Sequence, residues 1–181
     1  AGMSLSESLL EYTWVYRAWQ APFAGQMFVP VLAHNPMDRV RRVLDVACGP
    51  GTNTKFFADA DYLGIDFNER YIRTARERYG RNFVVADVRK FVAAPEDRFD
   101  FVLVNSFLHH LNTPDVLGIL NHLKSLLTPD GHIHMLELVL PEEPSIARLL
   151  AHWDRGKFAR PLEEWRELFE GLFEPVVFEP Y

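Results

Sequence analysis

The sequence predicts an α/β fold, doubly wound around a mostly parallel sheet with helices on both faces, and three observations carry that prediction. Short apolar runs alternate with amphipathic stretches along most of the chain. One central run empties into a glycine loop that opens a helix. Later runs end in a polar residue, at Asp66, Asp87 and Asn105.

Residues 1–35 read as an N-terminal helical arm, rich in Leu and aromatic residues and interrupted by Pro22. Its aromatics either pack as core or, in the case of Tyr12, Tyr16 and Trp19, roof a ligand pocket as a lid. Residues 36–181 read as a single globular unit. In it Val43, Leu44 and Val46 form the near-continuous apolar run of a strand buried on both faces. Gly49 and Gly51 follow and let the backbone turn tightly and approach a ligand. Thr52, Asn53 and Thr54 then start a helix whose positive end faces an anionic group. This is a nucleotide-type cradle.

A second strand over 60–66 ends in Asp66, and the helix after it stops at Gly80. The arginines at 70, 73, 76, 78 and 81 read as a solvated helix face, and Arg39 to Arg42 as a solvated approach to the first strand. A third strand covers 83–88, and a short helix is expected around Phe91 and Val92. A fourth strand covers 99–106, followed by a short loop or helix with His109 and His110 and a helix over 114–127. Thr128-Pro129-Asp130-Gly131 is a turn by composition. It delivers a fifth strand over 132–140. Residues 144–173 read as two helical pieces, and 175–178 as a last strand.

The composition bounds the function. A chain of 181 residues fits one domain, its 48% apolar content is ordinary, and no apolar run reaches the roughly 18 residues of a membrane span. A single cysteine, Cys48, forms no internal disulfide, which places the chain by default in the reducing cytoplasm. The net charge of −6 argues against a general grip on nucleic acid, leaving small molecules as partners. No grouping of histidine, cysteine and carboxylate has metal-ligand spacing, so no metal is expected.

In doubly wound sheets ligands bind outside the carboxyl ends of the strands, where Asp45, Asp66, Asp87 and Asn105 should converge. An acid about 20 residues beyond a glycine loop accepts hydrogen bonds from a ribose diol, which is the role expected of Asp66. Asp87 would accept from the amino group of adenine, with Phe67 and Val88 as apolar walls. Each aspartate taken singly is equally a helix cap or turn former; three in register favour the ligand.

These stretches resemble the class I S-adenosylmethionine-dependent methyltransferases, in their small-molecule type. Val43 to Thr54 (VLDVACGPGTNT) is similar to the first motif of that family, Tyr62 to Asp66 (YLGID) to its acidic second strand, and Ala86-Asp87-Val88 to its adenine turn. Phe99 to Leu111 (FDFVLVNSFLHHL) and Leu127 to Glu137 (LTPDGHIHMLE) match its fourth-strand and fifth-strand motifs. The resemblance implies S-adenosyl-L-methionine as cofactor and S-adenosyl-L-homocysteine as product. It places the methionine end at the loop Ala47 to Gly51, the ribose at Asp66, adenine at Asp87 and Val88, and the methyl-donor side at Asn105 and Ser106. His109 or His110 would contact the acceptor or act as a base.

The fourth strand ends Asn105-Ser106-Phe107-Leu108, which departs from the pattern of enzymes that methylate amide or base nitrogens, so a small-molecule acceptor is expected. Only one strand of the family's closing antiparallel pair is expected before Tyr181. An edge left open in this way would pair two copies into a homodimer. Two other readings stay open: a domain that binds the cofactor or its product without catalysis, and an NAD(P)-dependent oxidoreductase, whose fingerprint wants a small third residue where Thr54 stands.

Overall fold

The computed structural model describes residues 28–141 and 158–179. Tyr12, Tyr16 and Trp19, and the helical piece expected from residue 144, lie outside them. The chain divides into two compact units, Ala1–Pro36 and Met37–Tyr181. In the first, helix α1 (Val29–His34) carries Pro30 in its opening turn, where a missing N–H costs nothing.

The second unit is built on five parallel strands: β1 (Arg42–Val46), β2 (Asp61–Asp66), β3 (Asn82–Val85), β4 (Phe99–Asn105) and β5 (Leu127–Leu136). Their order is β3-β2-β1-β4-β5. The chain therefore steps outward from β1 to β3, returns to the other side of β1, and steps outward again. Such a reversal opens a crevice at the carboxyl ends of β1 and β4. Register puts Val46 level with Ile65 and Val104, Asp66 level with Val85, and Asn105 level with Leu136. The strand-end polar residues thus share one rim.

Burial follows the runs seen in the sequence. Val43, Leu44, Phe101, Val102, Leu103 and Val104 are fully buried. Helices cover the sheet where their apolar faces allow. Helix α2 (Glu69–Tyr79) buries Ile72 and Ala75, and α3 (Thr113–Ser125) buries Val116, Ile119, Leu120 and Leu123. Asn68 caps α2 by accepting from the backbone N–H groups of Arg70 and Tyr71, and Gly80 ends it in the left-handed conformation. Asn112 caps α3 in the same way. Helix α4 (Leu162–Glu170) adds Trp165 and Phe169 to the core. Gly64 has no substitute: a Cβ there would stand 2.6 Å from the Phe83 ring and 2.9 Å from Cys48 Sγ.

Several sequence expectations are corrected. The helix after the glycine loop is a six-residue 3-10 helix, Thr52–Phe57, with Gly51 at its cap position and no side-chain capping bond. Its dipole is accordingly short. Strand β3 ends at Val85, so Asp87 stands two residues beyond it. Phe91 and Val92 are not helical. Pro95 holds Ala94 extended, with ψ at 156°, which stops a helix from propagating there.

Thr128 to Gly131 lies inside β5, not in a turn before it. Phe99 pairs with Leu127 and Phe101 with His132, so the extra residues on β5 are absorbed as a bulge. The strand itself ends at Leu136 rather than 140. Pro175 to Phe178 is irregular, with Val176 almost fully exposed, and forms no strand. Among the described residues no sixth strand pairs with β5, and no helix is long and apolar enough to cross a membrane.

Two of the five arginines expected on a solvated face are structural. Arg76 donates through Nε and Nη2 to the carbonyl of Phe83, and Arg81 donates to the carbonyls of Phe57, Ala58 and Ala60. Arg42 likewise is tied down, paired with Asp61 at 3.3 Å and Asp97 at 2.8 Å.

Candidate active site

A cavity of about 410 Å³ opens on the rim where the strand ends meet. One wall comes from the ends of β1, β2 and β3: Ala47, Ile65, Asp66, Phe67, Ala86, Asp87, Val88 and Arg89. The opposite wall comes from the loop after β4 and from α3: Phe107, Leu111, Asp115 and Ile119. Of the residues singled out in the sequence, Ala47, Asp66, Phe67, Asp87 and Val88 are brought together here. Asp45, Gly49, Gly51, Asn105, Ser106, His109 and His110 stand outside the wall.

The cradle is shaped by backbone conformation. Ala47 (φ 53°), Gly49 (φ 54°) and Gly51 (φ 80°) are all left-handed. A Cβ on Gly51 would also meet the Phe83 ring at 2.8 Å. Ser106, directly after β4, has φ 53° as well. Thus each of the two strands flanking the crevice is followed at once by a non-glycine residue in a conformation that costs about 1 to 3 kcal/mol.

Asp66 is fixed before any ligand arrives. One carboxylate oxygen accepts from the Gly49 N–H at 2.9 Å, the other from the Asn68 N–H at 2.8 Å. Each oxygen keeps a second lone pair, so two outside hydroxyls can still be accepted. Burial pushes its pKa up, against the pull of these two N–H groups. Phe67 is 77% exposed at the cavity edge. A large aromatic left in water beside a concave site is a platform for a flat ligand.

Asp45 plays a different part from the one expected. It is fully buried beneath the loop, where Oδ2 accepts from the Tyr62 hydroxyl at 2.6 Å and from Asn53 Nδ2 at 3.3 Å, while Oδ1 is buried without a hydrogen bond. Desolvation raises its pKa to about 7, with the Tyr62 and Asn53 bonds pulling the other way. The side chain props the loop from below. Cys48, beside it, is buried and its thiol is pushed up by desolvation, which leaves it no nucleophile.

In the loop after β4 the organising residue is Glu137, one position past β5. Its Oε1 accepts from the N–H groups of Phe107 and Leu108 at 3.0 and 2.8 Å, and its Oε2 from the His109 N–H at 3.3 Å. The same Oε2 lies 2.8 Å from His109 Nδ1. The 3-10 turn Leu108–His110 is therefore pinned by its donors. His109 is 1% exposed, whereas His110 is exposed and rests on its neighbour with ring centroids 4.1 Å apart. Ser106 Oγ donates to Asn105 Oδ1 at 3.0 Å beside this turn.

The acceptors of the same loop are held from the far side. The Phe158 N–H donates to the His109 carbonyl, and buried Arg160 donates to the Leu111 carbonyl and lies 3.1 Å from Glu164. Arg160 also sits over the Trp165 ring, whose Nε1 donates to Leu138 O. Sequence reading missed Glu137, Arg89 and Arg160. An acid directly after the apolar pair Met135 and Leu136 was the available signal for Glu137, and the two-residue spacing from Asp87 that for Arg89; Arg160 carries none in residue type alone.

The chain is similar in sequence and fold to known proteins. Residues 43–131 match the family model described as methyltransferase domain. Trans-aconitate 2-methyltransferase of Escherichia coli is 35% identical over 108 residues, covering 57% of this chain and 41% of that protein. The enzyme of the same name from Shigella flexneri is 36% identical over the same length. The chain thus spans less than half the length of these curated relatives.

Among solved structures, the plantazolicin methyltransferase BpumL in complex with SAH superposes with a TM-score of 0.69 at 19% identity, covering 92% of this chain and 77% of that one. The mitomycin 7-O-methyltransferase MmcR gives 0.66 at 18% identity, covering 77% and 44%. At these identities the likeness is one of fold.

Proposed function

We propose that this chain, whose residues 43–131 are a methyltransferase domain of the class I S-adenosylmethionine-dependent family, moves a methyl group from S-adenosylmethionine to a small-molecule acceptor. The observation that carries the reading is Asp66: a carboxylate held by two backbone N–H groups at the end of β2, facing a cavity of nucleoside size. The residues present fit the cofactor. Asp66 retains acceptor capacity for a ribose diol, Phe67 and Val88 offer flat apolar walls, and the left-handed loop Ala47 to Gly51 lets the backbone approach the methionine end.

The cofactor supplies a methyl already activated on a sulfonium, so the chain's own task is positioning and exclusion of water. Asp66 fixes the sugar. The wall of Phe107, Leu111 and Ile119 closes the opposite side. His109 is the oriented ring of the pair. Buried, with Nδ1 at 2.8 Å from Glu137 Oε2, it holds the turn after β4 in place and acts as a positioning residue. His110, exposed and packed on that ring, is the member of the pair open to a hydroxyl acceptor and suited to take its proton.

Calorimetric titration with S-adenosylhomocysteine and with NAD tests the cofactor. Binding of the first and not the second is expected, and binding of NAD alone would refute the assignment. Methyl transfer from labelled S-adenosylmethionine is then followed on an acceptor panel that includes trans-aconitate and phenolic hydroxyls. Cofactor bound but never consumed across the panel would make the domain a sensor.

A further inference from the structure

Asp87, expected to accept from the adenine amino group, is already engaged. Its Oδ1 accepts from Arg89 Nε at 2.9 Å and from the Arg89 backbone N–H at 3.0 Å, and its Oδ2 from Arg89 Nη2 at 2.7 Å and Nε at 3.1 Å. Both side chains line the cavity, as does Asp115 on the opposite wall. Nη1 takes no part in the fork and adds further N–H donors at the cavity edge.

We propose that Arg89 sets the nucleobase preference of this cavity: its guanidinium occupies the Asp87 carboxylate and presents donors beside it, so the site accepts a 6-oxo purine about as readily as adenine. The inference rests on the cofactor reading above and deepens it. A lone carboxylate selects for an exocyclic amino group, which donates, and repels a carbonyl at the same position, because two acceptors meet. A carboxylate and guanidinium side by side offer an acceptor and a donor together.

The guanidinium brings Asp87 down to about 2, so the pair is fully charged at neutral pH. With Arg89 62% and Asp87 30% exposed, the fork is solvated and opens for a factor of a few in affinity, which lets either base find its partner.

The test is calorimetry with S-adenosylhomocysteine and its deaminated analogue S-inosylhomocysteine. The wild type should bind the two within about threefold of each other. Arg89→Ala frees the carboxylate, and preference for the amino form should rise at least tenfold, the scale of a charge-assisted hydrogen bond. Arg89→Lys keeps the charge without the fork and should fall between. Asp87→Asn in the Arg89→Ala background should return the ratio towards one.

A ratio that Arg89→Ala leaves unmoved overturns the inference while the cofactor reading stands. So does a wild type that already prefers the amino form more than tenfold. Failure of the wild type to bind either ligand at millimolar concentration overturns both. Arg89 is exposed and Asp87 half-buried, and both lie outside the core, so the variants should fold, and circular dichroism would verify it.

Discussion

Replacing Asp45 with asparagine should remove a pH dependence of stability that this one buried carboxyl imposes. In the unfolded chain the group loses its proton near 3.8, but in the folded chain it keeps it to about 7. Between those values the unfolded state binds fewer protons, so stability falls as pH rises and levels off above the folded pKa. Each pH unit in that interval costs about 1.4 kcal/mol, or about 4 kcal/mol over the whole of it.

Between pH 5 and pH 8 the share lost is about 2 to 3 kcal/mol. The assay is urea unfolding of wild type and Asp45→Asn at half-unit steps across that range, read as the difference between the two. Asparagine can still accept from Tyr62 but does not titrate, so any constant cost of the amide cancels. The difference should shift in favour of the variant by about 2 to 3 kcal/mol as pH rises. A difference flat to about 0.5 kcal/mol would show that Asp45 titrates alike in both states, and the account of a desolvated prop under the loop would be wrong. Tyr62→Phe, which removes a bond that favours the carboxylate, should move the fall to higher pH.

Other expectations are simpler. Ala47→Gly removes a Cβ from a left-handed residue and should raise unfolding stability by about 1 kcal/mol, visible as a higher urea midpoint. Phe67→Ala should weaken S-adenosylhomocysteine binding about tenfold without lowering the melting temperature, since the ring packs on nothing the fold needs. Glu137→Gln can satisfy only one side of its four-bond set, so it should cost about 2 kcal/mol and speed amide exchange at Phe107, Leu108 and His109. His110→Ala should lower turnover of a hydroxyl acceptor at least tenfold while cofactor affinity stays within a few-fold; unchanged turnover would remove it as the base.

What could be read from the sequence was whatever depends on neighbours in the chain. Val43 to Val46 announces a strand buried on both faces, Asn68 and Gly80 bound α2, and the spacing of Asp66 from the glycine loop placed it at the cavity. What could not be read was carried by backbone groups far away along the chain. Glu137 looks like an acid in a strand until the N–H groups of residues 107–109 close on it, some 30 residues earlier. Arg76 and Arg81 have the spacing of a wet surface, yet their partners are carbonyls of other elements. Thr128 to Gly131 has turn composition, and only pairing with β4 converts it to a bulge. The Asp87 and Arg89 fork lies two residues apart and was visible, but a lone acid at a strand end drew the eye to a ligand first.

Leu140 donates to the Arg160 carbonyl at 2.8 Å, and Val139 bridges to Arg160 just beyond β5. Residues 139–140 and Arg160 therefore meet beyond the end of β5, beside the His109 turn. An excursion that starts and finishes at a common anchor can change in length for little entropy, because closure cost grows only with the logarithm of the number of residues enclosed. The number of residues between these two anchors can therefore change while the contact between residues 139–140 and Arg160 is kept.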